Sequence, residues 1–144
     1  MSQEHFYEVN IEWKEGRTGE LSSPVLKETI ACATPPEFPN GVPGIWSPEH
    51  LFAASINSCF MATFLAIAYN FKVDIEAFSC KTIIKLEMVE GKYLITEAEL
   101  FPEVKLVNPD ADSEKAFRVL EKAKAGCLVT NSIKSAVSME SVVV

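Results

Sequence analysis

Residues 47–70 read SPEHLFAASINSCFMATFLAIAYN, and this stretch decides the fold. Ser47 suits a helix N-cap, Pro48 suits the first helical position, and Glu49 places an acid in the first turn, three features that mark a helix start. The residues over 51–69 are apolar on almost every face of such a helix. We therefore predict a helix over 47–70 that is buried on all sides.

A helix of this hydropathy could also cross a membrane, which takes about 20 apolar residues. Four polar residues interrupt the run, at Ser55, Asn57, Ser58 and Thr63. Basic residues do not bracket both ends of it, as they often do around a membrane helix, and the rest of the chain has enough strand-forming residues to wrap the helix. We therefore expect the helix to lie in a protein core and the chain to have no membrane partner.

Length, charge and the first residues narrow the class of protein. At 144 residues the chain fits one domain, over 1–144. Its net charge of −7 and its lack of a basic cluster argue against binding the phosphate backbone of nucleic acid. The first residues, MSQEH, are polar and acidic, unlike a secretory signal. We expect a cytoplasmic protein that does not bind nucleic acid.

The other segments predict an α+β domain. In chain order they are strands over 5–13 and 25–33, a proline-rich loop or lid over 35–48, a hairpin with strands over 77–89 and 93–107, an amphipathic helix over 113–126, and a closing strand over 135–144. A further short helix is possible over 128–133. This order of strands, buried helix, hairpin, helix and strand contains no repeat and no second domain.

The chain has four cysteines, at positions 32, 59, 80 and 127. They are too few and too scattered for a disulfide scaffold, so any disulfide would be transient and catalytic. We interpret Cys32 and Cys80, in predicted strands, as structural. Cys59 lies within the apolar helix, where a cysteine usually fills space. Cys127 follows a helix-ending glycine and precedes the possible short helix, a position that favours a thiolate.

Other candidate residues have ordinary roles when each is taken alone. His5 and His50 lack the paired spacing of a metal site, so we assign no metal. Arg17, in a glycine-flanked turn, would normally be a solvated loop arginine, and Glu49 a first-turn acid facing the helix dipole. Composition and spacing alone therefore indicate only a soluble α+β domain.

Four segments in combination resemble the family of osmotically inducible protein C and organic hydroperoxide resistance proteins (OsmC/Ohr). They are WKEGRTG at 13–19, SPEHLFAA at 47–54, CF at 59–60 and GCLVTN at 126–131. The most specific part is Pro-Glu-x-Leu-x-Ala-Ala followed by Cys-Phe on a hydrophobic helix, with a second cysteine near the C-terminal end. The resemblance spans nearly the whole chain.

This resemblance implies an OsmC-like fold, with antiparallel sheets around a long buried central helix plus a second helix, in an intertwined homodimer. Two active sites are expected near the subunit interface. The roles implied are attack on the peroxide by Cys59, resolution as a disulfide by Cys127, and assistance by Arg17 and Glu49. The implied substrates are organic hydroperoxides, which are reduced to alcohols, and the implied reductant is a dithiol such as a dihydrolipoyl group, with no cofactor.

The residue types suit this chemistry. Arg17 can hold Cys59 as thiolate because a fixed cation favours the charged form, and Glu49 can orient Arg17 by a bidentate pair. On one straight helix, however, Glu49 and Cys59 lie about 15 Å apart. Either Arg17 bridges the gap, or Glu49 serves a Cys59 from the partner chain.

An apolar surround would favour an alkyl hydroperoxide over hydrogen peroxide. We predict such a substrate-binding surround from Phe52, Phe60, Met61 and Phe64, although aromatic helix residues are more often plain core. The family commonly has proline after the second cysteine, whereas Leu128 follows Cys127 here. We expect this difference to affect the local turn more than the role of Cys59.

Two other function classes stay open. A dimeric module could hold a fatty acyl or other lipophilic ligand in the same apolar pocket without turnover. An acyl-transfer enzyme could use Cys59 as nucleophile, but no His or Asp stands out as its base. The presence of Arg17, Glu49, Cys59 and Cys127 together favours the peroxidase.

Overall fold

The computed structural model describes residues 3–144. In order, its elements are β1 (Asn10–Glu15), β2 (Thr18–Ser22), β3 (Ile30–Ala33), α1 (Pro48–Asn70), β4 (Ile75–Val89), β5 (Lys92–Leu106), α2 (Pro109–Gly126), α3 (Leu128–Asn131), β6 (Ala136–Met139) and β7 (Val142–Val143). The α+β class is as predicted. The chain divides into two compact units, the first ending at Leu51 and the second beginning at Phe52. The single domain over 1–144 stays a prediction.

The first unit contains an antiparallel sheet with the order β1-β2-β3. Gly16, at φ +53°, turns the chain between β1 and β2, and the Trp13 indole N–H donates to the Gly16 carbonyl at 3.0 Å. The sequence predicted the turn but not β2, and the strand predicted over 25–33 begins only at Ile30. Short polar strands such as β2 carry little apolar periodicity, so pairing with neighbours decides them.

The start of α1 follows from Ser47. Its buried side-chain Oγ accepts a hydrogen bond from the His50 N–H at 3.1 Å, which satisfies one of the free donors of the first turn. Pro48 occupies the first helical position, where its missing N–H costs nothing. The loop before it is irregular, as predicted, with one bridge from Trp46 to Cys32 of β3.

In the second unit, β4 and β5 form a long antiparallel hairpin. Glu90 and Gly91 close it with φ of +49° and +80°, the positive pair that a two-residue type I′ turn requires. The β6 and β7 strands pair with the other side of β5 and run parallel to it. The predicted closing strand is thus two short strands, and this sheet is mixed rather than wholly antiparallel.

Pro102 lies in the middle of β5, between the two short ladders. The Leu100 carbonyl accepts from Glu140 and the Val104 carbonyl accepts from Val144, so Pro102 faces the same side. Because proline has no N–H, the pairing of β5 is interrupted there, which separates β6 from β7.

Only one face of α1 is buried. Ile56, Phe60, Phe64 and Ala68 recur every four residues and pack in the core of the second unit with residues of β5 and α2. The opposite face includes exposed apolar side chains, at Met61, Ala62, Leu65, Ala66 and Tyr69. The prediction of burial on all sides is therefore wrong for a single chain. By length and hydropathy alone α1 could also span a membrane, but core helices pass the same test.

The α2 helix packs on the same core through Ala116, Val119, Leu120 and Ala123. It begins at Pro109, four residues before the predicted start, because proline again occupies the first turn and two acids follow it. It ends at Gly126, as predicted. The short α3 follows directly, so Cys127 is the only residue between the two helices.

Candidate active site

Cys59 lies in the middle of α1, half-buried at the edge of the core. One helical turn later, the Thr63 hydroxyl donates to the Cys59 carbonyl at 2.9 Å and also interacts with the Cys59 thiol. Cys59 is a free thiol. The helix therefore presents this sulfur at the core boundary, within reach of the segment that follows α2.

Cys127 is fully buried at the junction of α2 and α3, in the core cluster against which Cys59 packs. It too is a free thiol. Its backbone is extended, at φ −70° and ψ 117°, which ends α2 and starts α3. The structure thus brings together two cysteines that are 68 positions apart in the sequence.

The first two residues of α3 also face Cys59. The backbones of Val129 and Leu128 are among the groups that lower the pKa of the Cys59 thiol. Burial raises the pKa of Cys59, but hydrogen bonds with the Val129 backbone, the side chains of Cys127 and Thr63, and the Leu128 backbone together lower that pKa below the ordinary thiol value. The site therefore favours a Cys59 thiolate, the nucleophilic form.

Arg17 and Glu49 both belong to the first unit. Arg17 is exposed at the β1–β2 turn and borders a pocket of about 380 Å³, whose apolar lining includes Ile11 and Trp13. Glu49 is half-buried in the first turn of α1, and its Oε1 is buried without a hydrogen-bond partner within residues 3–144. The structure does not pair the two side chains within one chain.

Two of the predicted substrate-binding residues are placed in the core. Phe60 and Phe64 are 0% exposed and stack on Phe78 of β4, with ring centroids 6.4 and 5.1 Å away. They cannot contact a substrate directly, so that prediction is wrong for both. Phe52 is half-buried and Met61 is exposed, which leaves these two available.

Cys80 and Cys32 have surroundings unlike those of Cys59. Burial raises the pKa of the Cys80 thiol, only partly offset by hydrogen bonds from Thr82 and the backbone of Phe101. Cys32 is buried in β3. Within the part of the chain that is described, no group of three or more His, Cys, Asp or Glu side chains is arranged to hold a metal ion.

Sequence reasoning missed Thr63, Leu128 and Val129. Thr63 had a usable signal, because a side chain four residues after Cys59 lies on the same helix face. Leu128 and Val129 act through main-chain polar groups, which every residue carries. No side-chain pattern could have marked them.

The sequence model of the OsmC-like protein family matches residues 41–142. That range includes both cysteines and most of the chain, and the chain belongs to the OsmC-like family. No curated protein matches the sequence at a significant level.

Solved structures share the fold. An OsmC-like protein of unknown function from Vibrio cholerae is 22% identical with a TM-score of 0.83, and the match covers 99% of this chain and 100% of that one. An organic hydroperoxide resistance protein from Elizabethkingia anophelis is 21% identical, with a TM-score of 0.77 and coverage of 99% and 98%. One from Bacillus subtilis is 20% identical, with a TM-score of 0.71 and coverage of 97% and 98%. At these identities the likeness establishes the fold.

Proposed function

We propose that this protein is a thiol peroxidase that reduces organic hydroperoxides to alcohols at Cys59, with Cys127 as the resolving cysteine. The observation that carries the proposal is that Cys59 packs against the core cluster that contains Cys127, in surroundings whose hydrogen bonds lower the pKa of Cys59. A nucleophilic thiolate beside a second thiol is the arrangement that two-step peroxide reduction needs. Family membership and fold relatives named for organic hydroperoxide resistance support the same function.

The reaction runs in two steps. The Cys59 thiolate attacks one peroxide oxygen, so that an S–O bond forms, the O–O bond breaks, and the leaving alkoxide takes up a proton as the alcohol. The Cys127 thiol then attacks the sulfenic sulfur of Cys59; the S–S bond forms, the S–O bond breaks, and the hydroxyl group leaves as water with the thiol proton. An external dithiol, such as one of the lipoyl type, restores both thiols by disulfide exchange. This cycle suits a reducing compartment such as the cytosol.

Arg17 and Glu49 complete the site in this proposal through a homodimer. A buried carboxylate oxygen without a partner is costly, and Glu49 has one. An arginine is the matching donor, because its planar guanidinium can bind a carboxylate with two hydrogen bonds. In this proposal both chains form each active site. Arg17 of one chain lies there beside Glu49 and beside Cys59 of the second chain.

The exposed face of α1 supports this assembly. It presents apolar side chains from Met61 to Tyr69, over more than two helical turns, and a contiguous apolar surface of this kind usually marks an interface. A second copy brings the same face to the contact, which makes the two helices a symmetric pair.

Mass spectrometry of the reduced protein tests the chemistry. One equivalent of an alkyl hydroperoxide should remove two hydrogens and link Cys59 to Cys127 in the peptide map, faster than hydrogen peroxide does. Cys59→Ser should abolish the reaction, while Cys127→Ser should stop at the sulfenic acid. The matched control, Cys80→Ser, should react like the wild type. Slow oxidation spread over all four cysteines would argue against a peroxidase.

Subunit complementation tests the shared site. The proposal predicts that Arg17→Met protein alone and Cys59→Ser protein alone are both inactive. If Arg17 serves the partner's Cys59, their mixed dimer contains one intact site and regains about half of the wild-type rate per dimer, since a symmetric dimer has two sites. If Arg17 serves Cys59 of its own chain, the mixture stays inactive.

The second candidate is a module that binds a lipophilic ligand without turnover. The pocket beside Arg17 favours it, because Ile11 and Trp13 give it an apolar wall and a cation borders it. A fatty acid would fit that chemistry. A protein that shows no mass change with peroxide but retains a fatty acid through purification would support this function.

A further inference from the structure

The row of α1 residues that begins at Cys59 contains one polar side chain. Cys59, Thr63 and Ile67 recur every four residues along one face of the helix, and all three are half-buried. Cys59 and Ile67 pack against the core, where a free cysteine behaves as a small apolar group. A valine would have the same shape as Thr63, so packing alone does not explain a hydroxyl at this position.

The Thr63 hydroxyl is bonded to the peptide of Cys59. Its Oγ1 donates to the Cys59 carbonyl at 2.9 Å, one turn back along α1, so the hydroxyl needs no other partner in this half-buried position. Oγ1 and the Cγ2 methyl are both attached to Cβ, and such a branched side chain turns about χ1 as one unit. The hydrogen bond that holds the hydroxyl therefore also fixes the direction of the methyl.

That methyl faces the end of α2. A Cβ added to Gly126 would lie 3.9 Å from Thr63 Cγ2, an ordinary van der Waals distance, and apart from its chain neighbours no other side chain within residues 3–144 would come within 4 Å of it. Gly126 is the last residue of α2, and the next residue is Cys127, which is fully buried. Thr63 thus connects the turn of α1 that carries Cys59 with the end of the helix that precedes Cys127.

The spacing of these two segments decides whether the cysteines can be linked. An unstrained disulfide needs Cα atoms about 4.4–6.8 Å apart, so a small shift of the end of α2 relative to α1 weakens the bond. Thr63 and Cys127 are also both among the groups that lower the pKa of the Cys59 thiol.

We propose that Thr63 is a positioning residue for the Cys59–Cys127 pair: its hydroxyl is bonded to the Cys59 carbonyl while its methyl supports the end of α2, which keeps Cys127 within disulfide-forming distance of Cys59. The inference rests on the proposed function, in which these two cysteines form a disulfide. It adds a residue that touches neither the peroxide nor the reductant, and that acts on the second step of the cycle.

Two substitutions at Thr63 separate the methyl from the hydroxyl. Thr63→Ser removes the methyl and keeps the hydroxyl, whereas Thr63→Val keeps the methyl and removes the hydroxyl. Valine in a helix has one strongly preferred χ1 rotamer, so its methyl stays in place without the hydrogen bond. The matched control is Thr96→Ser, which removes the same methyl from a half-buried threonine on β5.

The measurement is the equilibrium of the reduced protein with oxidised glutathione, which gives the Cys59–Cys127 disulfide and two molecules of reduced glutathione. Full-length protein is equilibrated at graded ratios of the two glutathione forms, and the linked fraction is read from peptide masses after alkylation of the free thiols. Thr63→Ser should lower the equilibrium constant for the disulfide about three- to tenfold, the range that one lost methyl contact would give. Thr63→Val and Thr96→Ser should keep the wild-type constant.

A purely structural role of Thr63 would not change this constant. A substitution that destabilises the reduced and disulfide forms equally cancels from their equilibrium, whereas a lost positioning contact lets only the reduced form relax. A wild-type constant in Thr63→Ser, or an equal loss in Thr63→Val, would overturn the proposal. Because no peroxide is used, these outcomes are distinct from a failure of the proposed peroxidase, which shows in the reaction with an alkyl hydroperoxide.

Discussion

Cys59 and Cys80 differ in how their surroundings treat a negative charge. Cys59 is surrounded by two backbone groups, a hydroxyl and a second thiol, whose hydrogen bonds lower its pKa although burial acts the other way. Burial dominates at Cys80 and raises its pKa. The same residue type is therefore prepared for ionisation on α1 and kept neutral on β4, because donors, rather than depth alone, decide the charge state.

This difference predicts opposite pH dependences of stability. The Cys59 thiol ionises at lower pH in the folded state than in the unfolded state, so between those two pKa values the unfolded state binds more protons and the unfolding free energy rises with pH. Cys80 ionises later when folded, so its contribution falls as pH rises above the unfolded thiol value.

Denaturant unfolding under reducing conditions, from neutral to alkaline pH, checks both signs. As the pH rises from 7, the unfolding free energy of Cys59→Ser should fall relative to that of the wild type. The unfolding free energy of Cys80→Ser should rise relative to it. Parallel curves for the two variants would show that the thiols titrate alike in the folded and unfolded states.

The site was only partly predictable at this scale. Cys59 and Cys127 were predicted as reactive residues from a resemblance in short motifs, since each cysteine alone had an ordinary structural explanation, and their roles stay predictions. Phe60 and Phe64 were assigned to substrate, but with Ile56 and Ala68 they form a stripe of spacing four, the pattern of a core face. The stripe was visible in the sequence, and it argued for burial.

Among the elements, α1 depends on Ser47, the residue that caps it just before Pro48. Ser47 is fully buried, and its Oγ contacts both the His50 N–H, at 3.1 Å, and the His50 ring Nδ1, at 2.7 Å. Ser47→Ala should therefore cost about 1 kcal/mol of unfolding free energy, in the range for lost caps. Ser58→Ala, at an exposed position of the same helix, should change it by less than about 0.5 kcal/mol. Equal effects on the denaturation midpoints would contradict the cap.

The β4–β5 hairpin depends on the handedness of its turn. Gly91 has φ +80°, a conformation that costs any other L-residue about 1–2 kcal/mol, so Gly91→Ala should lower thermal stability. Gly126 has no such φ and only an ordinary contact at 3.9 Å. Gly126→Ala should be neutral or slightly stabilising. Melting curves that shift equally for both would count against this explanation.

Element prediction succeeded where the local signal was strong. The Ser-Pro-Glu start of α1 and the Glu-Gly hairpin turn each require a particular backbone conformation. It failed for β2 and for the division into β6 and β7. Those strands exist because they pair with β3 and β5, and such long-range pairing leaves no local pattern.

At the scale of the whole molecule, the main feature is the apolar face of α1, which a single chain leaves exposed. In the proposed homodimer, Leu65, which is 41% exposed, lies at the helix–helix contact. Leu65→Glu should then weaken association by placing a charge in an apolar interface. Phe117→Glu, on the exposed side of α2, is the matched control and should leave association unchanged.

Sedimentation velocity over a range of concentrations compares the association state of the wild type and the two variants. The wild type and Phe117→Glu should sediment as dimers, with Leu65→Glu shifted to monomer or to a concentration-dependent mixture. Wild-type protein that sediments as a monomer at all concentrations would remove both the dimer and the shared active site.

Pro102 has a consequence for how the molecule opens. Because it interrupts β5, the C-terminal residues are attached by two short, separate ladders, and each can break without the other. Local fluctuations of this kind need far less free energy than global unfolding. The Val142–Val143 segment should therefore exchange its amide protons faster than Ala136–Met139, as an end that frays while the rest of the sheet stays closed.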